Sequence, residues 1–270
     1  LHELERATLR SYESHLRIHI EPQIGQMLLE DLTPEEVRNF IDNVMEEKTR
    51  PMAVKVLCSL RAILSVAQER GWIIGNVARQ IRLHKSRRRK HERVIPSKDE
   101  IRLLLTKVPD RHKPFITTAI FTGMRASELR GLKWECVDFD KGLIRVKERA
   151  DRFNEFDVPK SDKGKRYIPM SPEVKKLLKT WEKQCPSGDL GLVFPNGAGN
   201  VETHSNIYNR VFKPLMVQCE LVDGKGKPKF GFHSLRHATA SLMIDRAWEP
   251  KRIQTIMGHS SISITFDVYG

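Results

Sequence analysis

The chain has 270 residues, 39% of them hydrophobic and 30% charged, and 47 Lys+Arg against 34 Asp+Glu give a formal net charge of +13. That length accommodates two domains, each able to bury its own core, and the basic excess favours a polyanionic partner, because lysines and arginines release condensed counterions from a phosphate backbone. No run approaches the roughly 18 apolar residues of a membrane span, no apolar leader opens the chain, and the cysteines Cys58, Cys136, Cys185 and Cys219 lack any Cys-x-x-Cys spacing, which argues against a membrane protein, a zinc ribbon or a disulfide framework.

A cytosolic protein with reduced, mostly packing cysteines is the expectation. Because the first residue is Leu1 and not Met, the sequence reads as a fragment or processed form, with elements before Leu1 and after Gly270 left open.

In chain order, Leu9, Tyr12, Leu16 and Ile20 recur at helical spacing over residues 5–20, with a stop near Pro22 and Gly25. Thr33-Pro34-Glu35-Glu36 then supplies a capping threonine, a first-turn proline and a reciprocating glutamate ahead of Val37, Phe40, Ile41 and Val44. Val54, Leu57, Cys58, Arg61, Leu64 and Ser65 define a third helix ending before Gly71, and a short fourth lies near Asn76 to Ile81. These four should form a small bundle. The run Leu83-His84-Lys85-Ser86-Arg87-Arg88-Arg89-Lys90-His91-Glu92 has no apolar period and marks a linker.

Ser97-Lys98-Asp99-Glu100 is a capping box that opens the second domain near Val94, and the apolar stretch from Pro114 to Thr122 predicts a buried helix closed by Gly123. Arg125 follows at the start of a short helix, where its guanidinium and the helix N-terminal amides can converge on one anion, while Glu128, Leu129, Leu132 and Trp134 read as structural. From Val137 the helical period is lost. Leu143-Ile144-Arg145-Val146 and Tyr167-Ile168-Pro169 read as strands of a small antiparallel sheet, with turn residues around Lys160 to Gly164. Ser171-Pro172-Glu173 caps another helix, Leu192-Val193-Phe194 reads as a short strand, and Asn206 to Leu221 is helical. The polar loop Asp223 to Lys229 presents its lysines just before the His233 helix, facing the polyanion. Two short helices, Pro250–Met257 and Ser261–Val268, end the chain, with His259 at the turn between them.

The chemistry concentrates in the last forty residues. His233 and Arg236 stand three apart and so share a helix face, a group that titrates near neutrality beside a permanent cation with a fork of N–H donors. That pairing suits a phosphate oxygen. Tyr269 is a weak nucleophile, with an unperturbed pKa of about 10, and needs an electropositive setting that His259 helps to supply.

Thr122-Gly123-Met124-Arg125-x-Ser127-Glu128-Leu129-x-x-Leu132-x-Trp134, then His233-x-Leu235-Arg236-His237, then Gly258-His259-Ser260-Ser261-Ile262 with Tyr269 ten residues past His259, form an ordered pattern. It resembles the tyrosine recombinases, also called phage integrases, and the first eighty residues are similar to that family's core-binding domain. The resemblance implies a mainly α fold with a small antiparallel β-sheet (α+β). A helical, SAM-like core-binding domain would span residues 1–84, a basic linker that closes the two domains around DNA residues 85–93, and the catalytic domain residues 94–270. In the linker, Lys85, Arg87, Arg88, Arg89 and Lys90 would contact the duplex backbone. The stretch from Pro159 to Pro169 resembles the β-hairpin that carries the family's catalytic lysine; the spacing to Pro169 points to Lys160, with Lys163 and Lys165 as rivals and further DNA contacts.

The implied reaction is site-specific recombination. Arg125 and Arg236 clamp the non-bridging oxygens, Tyr269 attacks, Lys160 protonates the leaving 5′ oxygen, His233 is a general acid/base and His259 hydrogen-bonds the phosphate. The product is a 3′-phosphotyrosine with a free 5′-hydroxyl, strands exchange through a Holliday junction, and conservation of bond energy in the covalent link makes a nucleotide cofactor or metal unnecessary. The partners implied are double-stranded DNA, other copies of the chain in a tetramer on two sites, and accessory DNA-bending or directionality factors, with no membrane. The setting is bacterial or phage-encoded cytoplasm, at the nucleoid. As no segment beyond Gly270 is present to be donated to a neighbour, the chain without DNA is expected to be a monomer.

Three other readings compete. His233 and His237 have the spacing of two zinc ligands on a helix, but Ser234 stands where a zinc hydrolase has glutamate. A DNA-binding protein without catalysis leaves the ordered arginines, histidines, lysine and tyrosine unexplained. A type IB topoisomerase, which would share the attacking tyrosine, is disfavoured by the core-binding domain.

Overall fold

Short polar residues one step ahead of an apolar period start several of the helices. A computed structural model describes residues 4–83, 94–159, 162–259 and 261, and the chain divides into two units, residues 1–90 and 91–270.

In the first unit, α1 (Arg6–His15) runs into a π-helical turn (Leu16–Ile20) and then α2 (Glu21–Ile24). The helical path therefore passes through Pro22 and ends at Ile24, with Gly25 as its C-cap, so of the two stop signals Gly25 is the one that acts. Pro22 lies in the first turn of α2, directly after the π turn, where a missing N–H interrupts no α-helical ladder. Thr33 Oγ1 accepts from Glu36 N at 3.2 Å and caps α3 (Pro34–Glu47). α4 (Arg50–Glu69) starts ahead of Val54, because Pro51 occupies its first turn and its fixed φ suits that position. A single 3₁₀ turn, Val77–Arg79, replaces the expected fourth helix. Ile20, Val37, Phe40, Ile41, Val44, Val56, Leu57, Leu60, Leu64 and Ile81 are buried in one core. Helix α4 is long and apolar enough to cross a membrane by length and composition, yet it carries Ala53, Val56, Leu57, Leu60 and Leu64 into this core.

The second unit opens with the capping box of α5 (Lys98–Lys107), where Ser97 Oγ accepts from Glu100 N at 3.2 Å and Ser97 N donates to Glu100 Oε2 at 2.8 Å. α6 (Lys113–Thr122) is buried along nearly its whole length. Gly123, at φ 61°, turns the chain out of it and into α7 (Ala126–Arg130). Strands β1 (Val137–Asp138), β2 (Leu143–Val146) and β5 (Arg166–Pro169) form an antiparallel sheet in the order β1-β2-β5, with Ile144 opposite Ile168 and Val146 opposite Arg166. A second hairpin, β3 (Arg149–Ala150) with β4 (Phe156–Asp157), interrupts the β2–β5 connection. It escapes a pattern search because each strand is two residues long.

Ser171 caps α8 (Pro172–Glu182). Residues 192–194 make no strand: Leu192 forms one isolated bridge with Lys133, and Val193 N donates to Leu132 O at 2.8 Å. α9 (His204–Asn206), a π-helical segment (Ile207–Phe212) and α10 (Lys213–Gln218) form one continuous helical stretch. α11 (His233–Asp245) packs on α6, fastened by Thr239 Oγ1 donating to Ile120 O at 2.6 Å, and α12 (Pro250–Met257) packs on α11 and β5. The expected last helix, Ser261–Val268, lies outside the described residues except for Ser261. The four cysteines are free thiols, with Cys136 and Cys219 buried and Cys58 exposed.

Candidate active site

Arg125 is the N-cap of α7, where unpaired helix amides favour an anion. The anion found there belongs to the protein. Glu128 Oε2 accepts from Arg125 N and Oε1 accepts from Arg125 Nη1, both at 2.8 Å. Glu128 thus takes the Arg125 amide and one edge of its guanidinium, and the Arg125 side chain is 38% exposed. The carboxylate of Glu128 is 2% exposed and also accepts from Arg166 Nη1 at 3.1 Å and Nη2 at 2.9 Å. Burial alone would raise its pKa, but the Arg166 hydrogen bonds and charge, with Arg125, outweigh that and hold it at about 2.

Arg236, on α11 and 4% exposed, donates Nη1 to Gly123 O and Nη2 to Met257 O. Arg125 Nη2 donates to Gly258 O at 3.0 Å, and Arg166 Nε to Ile256 O at 2.6 Å. Three arginines from three different segments thus take the consecutive carbonyls 256, 257 and 258 at the end of α12. A helix C-terminus leaves its last carbonyls without partners and carries partial negative charge, so it is a natural gathering point for cations. Gly258, at φ 63°, then turns the chain into His259. A Cβ on Gly258 would stand 3.0 Å from Lys163 O and 3.1 Å from Arg166 Nη1, tight enough that these neighbours would have to give by a few tenths of an ångström.

His259 is 8% exposed. Its N donates to Gln254 O at 3.1 Å, and its carbonyl accepts from Gln254 Nε2 at 3.2 Å. Burial, then Arg236, Arg125, His237 and Arg166, lower its pKa to about 4, so the ring is neutral at neutral pH. His233 is exposed at the start of α11 and meets His237 edge-on, ring centroids 4.9 Å apart. With Arg236, Met124, Ala126 and His204 it lines a cavity of about 80 Å³. Among the described residues no group of three or more His, Cys, Asp or Glu gathers as a metal site would require.

Four of the six expected catalytic residues, Arg125, His233, Arg236 and His259, lie around this one turn and cavity. Lys160 and Tyr269 fall outside the described residues, as do Lys85, Arg87, Arg88, Arg89 and Lys90. Lys163 and Lys165 are exposed on the segment between β4 and β5, Lys163 within a short 3₁₀ turn, Asp162–Gly164. In the loop before α11, Lys229 Nζ pairs with Glu100 Oε1 at 2.7 Å and so is tied to the start of α5.

Sequence reasoning missed Arg166 and set Glu128 aside as structural. The signal for Arg166 was its place in the strand alternation: it shares the inward face with Ile168, and an inward charge demands a buried partner. Arg130, in the same motif as Arg125, does something else, donating to Glu202 O, Ala150 O, Asp151 O and Asn154 Oδ1 and so fastening the β3–β4 hairpin.

The geometry gathers arginines and histidines from distant segments around one turn and one small cavity. Sequence profiles described as the phage integrase family and the phage integrase central domain match residues 94–270 and 2–84 respectively. The chain belongs to the phage integrase family, the tyrosine recombinases, enzymes that cleave and rejoin DNA in site-specific recombination. A tyrosine recombinase XerC of Thermodesulfovibrio yellowstonii is 27% identical over 96% of this chain and 83% of that protein. A XerC-like tyrosine recombinase of Caldanaerobacter subterraneus is 24% identical over 97% of this chain and 73% of its own length. Among solved structures, the Tn1549 transposon integrase in complex with transposon right end DNA has a TM-score of 0.84 at 23% identity, covering 99% of this chain and 90% of that one. A lambda integrase dimer bound to a COC′ core site follows the same fold at a TM-score of 0.76 and 21% identity, covering 100% of this chain and 73% of that one.

Proposed function

We propose that the turn at Gly258 is the phosphate-binding centre of a recombinase that works through a covalent tyrosine intermediate. The observation that carries this is the meeting of Arg125 and Arg236 on the neighbouring carbonyls of Gly258 and Met257, beside a neutral His259. Two guanidiniums fixed this way are preorganised donors for two non-bridging oxygens of one phosphodiester, where charge accumulates as phosphorus becomes five-coordinate. His259, uncharged and ordered by Gln254, donates a hydrogen bond to the same phosphate.

In the step assigned, the Oη of Tyr269 forms a bond to phosphorus as the bond from phosphorus to the 5′ oxygen breaks. His233 takes the phenolic proton and Lys160 gives one to the departing 5′ oxygen, with Lys163 and Lys165 as the other candidates for that donor. The 3′-phosphotyrosine keeps the bond energy, and attack by the 5′-hydroxyl of a second strand reverses the sequence and rejoins DNA through a Holliday junction. Residues 1–84 serve as the core-binding domain, 85–93 as the basic linker and 94–270 as the catalytic domain. Lys85, Arg87, Arg88, Arg89 and Lys90 hold the duplex backbone. The working assembly is a tetramer on two sites in the bacterial cytoplasm, joined where needed by accessory DNA-bending or directionality factors. Lambda integrase, a structural neighbour, has been seen as a tetramer bound to a Holliday junction.

The test is a nicked suicide duplex carrying the cognate site. A protein–DNA adduct that resists denaturant, forms in the presence of chelator and vanishes in Tyr269→Phe is expected. An adduct that survives this substitution places the nucleophile elsewhere.

A further inference from the structure

Arg166 has no part in the mechanism above, yet it is among the most buried cations of the second unit, its side chain 3% exposed. Its guanidinium joins three segments. Nη1 donates to Gly164 O at 2.9 Å within its own hairpin arm, Nη1 and Nη2 reach both oxygens of Glu128 on α7, and Nε reaches Ile256 O on α12. The backbone of the same arm presses on the turn, since Lys163 O stands 3.0 Å from where a Cβ on Gly258 would be. One buried side chain therefore fixes the arm that carries Lys163 and Lys165 against the carbonyl turn that holds Arg125 and Arg236, and Lys160 stands six residues before it in sequence.

We propose that Arg166 is a positioning residue for leaving-group protonation: it holds the lysine-bearing arm at a fixed distance from the phosphate pocket. This rests on the reading that a lysine of that arm supplies the proton to the 5′ oxygen. The pocket itself does not depend on Arg166 in the same degree. Arg125 has its own two bonds to Glu128 and its bond to Gly258, and Arg236 its bonds to Gly123 and Met257, and none of these runs through Arg166. Losing Arg166 releases the arm and leaves the clamp, so the defect falls on the proton and not on the binding of the phosphate.

A substrate in which sulfur replaces the bridging 5′ oxygen separates the two effects. A thiol has a pKa of about 8.5, against about 15.7 for water as a guide to a hydroxyl, so a thiolate departs without needing a proton. Single-turnover cleavage of the suicide duplex would be measured with oxygen and with sulfur at that position, for the parent, Arg166→Met, Arg166→Lys and the single variants Lys160→Ala, Lys163→Ala and Lys165→Ala. Arg166→Met is expected to slow the oxygen substrate on the order of 100-fold, the lower range of general-acid contributions, and to approach the parent rate on sulfur. Arg166→Lys, which keeps a cation against Glu128 and is the safer variant for folding, is expected to show a smaller defect with the same recovery on sulfur.

Equal slowing on both substrates for Arg166→Met and Arg166→Lys, while one lysine variant does recover on sulfur, overturns the positioning role. If none of the three lysine variants recovers on sulfur, the leaving-group reading itself falls, and the lysine series shows that independently of Arg166.

Discussion

At the residue scale the site is governed by how its charges neutralise one another. Glu128 is held ionised by Arg166 and Arg125, whereas His259 is held neutral by burial and by the surrounding guanidiniums, Arg236 and Arg125 among them. A phosphate entering the pocket cancels that positive field, so binding and the protonation of His259 are linked. In the free protein His259 is expected to titrate near 4, and with a bound duplex its pKa should rise, read from ring chemical shifts in histidine-labelled protein with and without DNA. No movement on binding removes His259 from the phosphate's surroundings. The linkage also has a sign for stability. The folded pKa lies below the ordinary value of 6.5, so the unfolded chain takes up the proton first as pH falls. The contribution is fully present above pH 6.5 and is lost as pH drops toward 4, by as much as about 3 kcal/mol for a shift of this size.

At the element scale the end of α12 does the organising, and Gly258 is where its requirements coincide. The residue must adopt φ 63°, offer its carbonyl to Arg125 and leave Lys163 O and Arg166 the space beside it, 3.0 and 3.1 Å from where a Cβ would stand. Gly258→Ala should cost about 1–3 kcal/mol from the left-handed backbone and more from the clash. Cleavage should fall further than stability, because the same displacement moves the Arg125 acceptor. Thermal unfolding and suicide-duplex cleavage measured together check this; a variant with parental stability and rate would mean the turn is not held as tightly as the contacts require. The same elements show what a sequence can and cannot disclose. The caps at Thr33, Ser97 and Ser171 were legible because donor and acceptor lie within three residues. Arg125 and Arg236 were legible through their motifs. The bond from Arg166 to Glu128 spans 38 residues, and that from Arg166 to Ile256 spans 90, so no local pattern carries them. The π-helical turns at Leu16–Ile20 and Ile207–Phe212 were hidden for a related reason, since a one-residue shift of the ladder leaves the apolar spacing almost unchanged.

At the scale of the whole molecule, two hydrophobic cores drawn from separate stretches of chain, residues 20–81 and 101–257, lie on either side of a run dense in arginine and lysine. The motifs of the proposed phosphate pocket, from Thr122 to Tyr269, all follow the basic run in sequence, within the second stretch or directly after it, so the run has no part in assembling that pocket. Its chemistry suits the sugar–phosphate backbone, where a cation releases counterions and reads no base. Replacing Arg87, Arg88 and Arg89 together with glutamine should therefore weaken binding to cognate and scrambled duplexes by the same factor. It should also reduce the slope of log K against log salt by about 0.9 for each phosphate that goes without its arginine, close to 3 in all. Binding isotherms at four or five salt concentrations on both duplexes give the slope and the specificity ratio at once. An unchanged slope means that the run touches no phosphate, and a fall confined to the cognate duplex means that it reads bases. Cleavage at saturating protein should be close to the parent rate, because every group assigned to the chemistry, from Arg125 to Tyr269, is still in place.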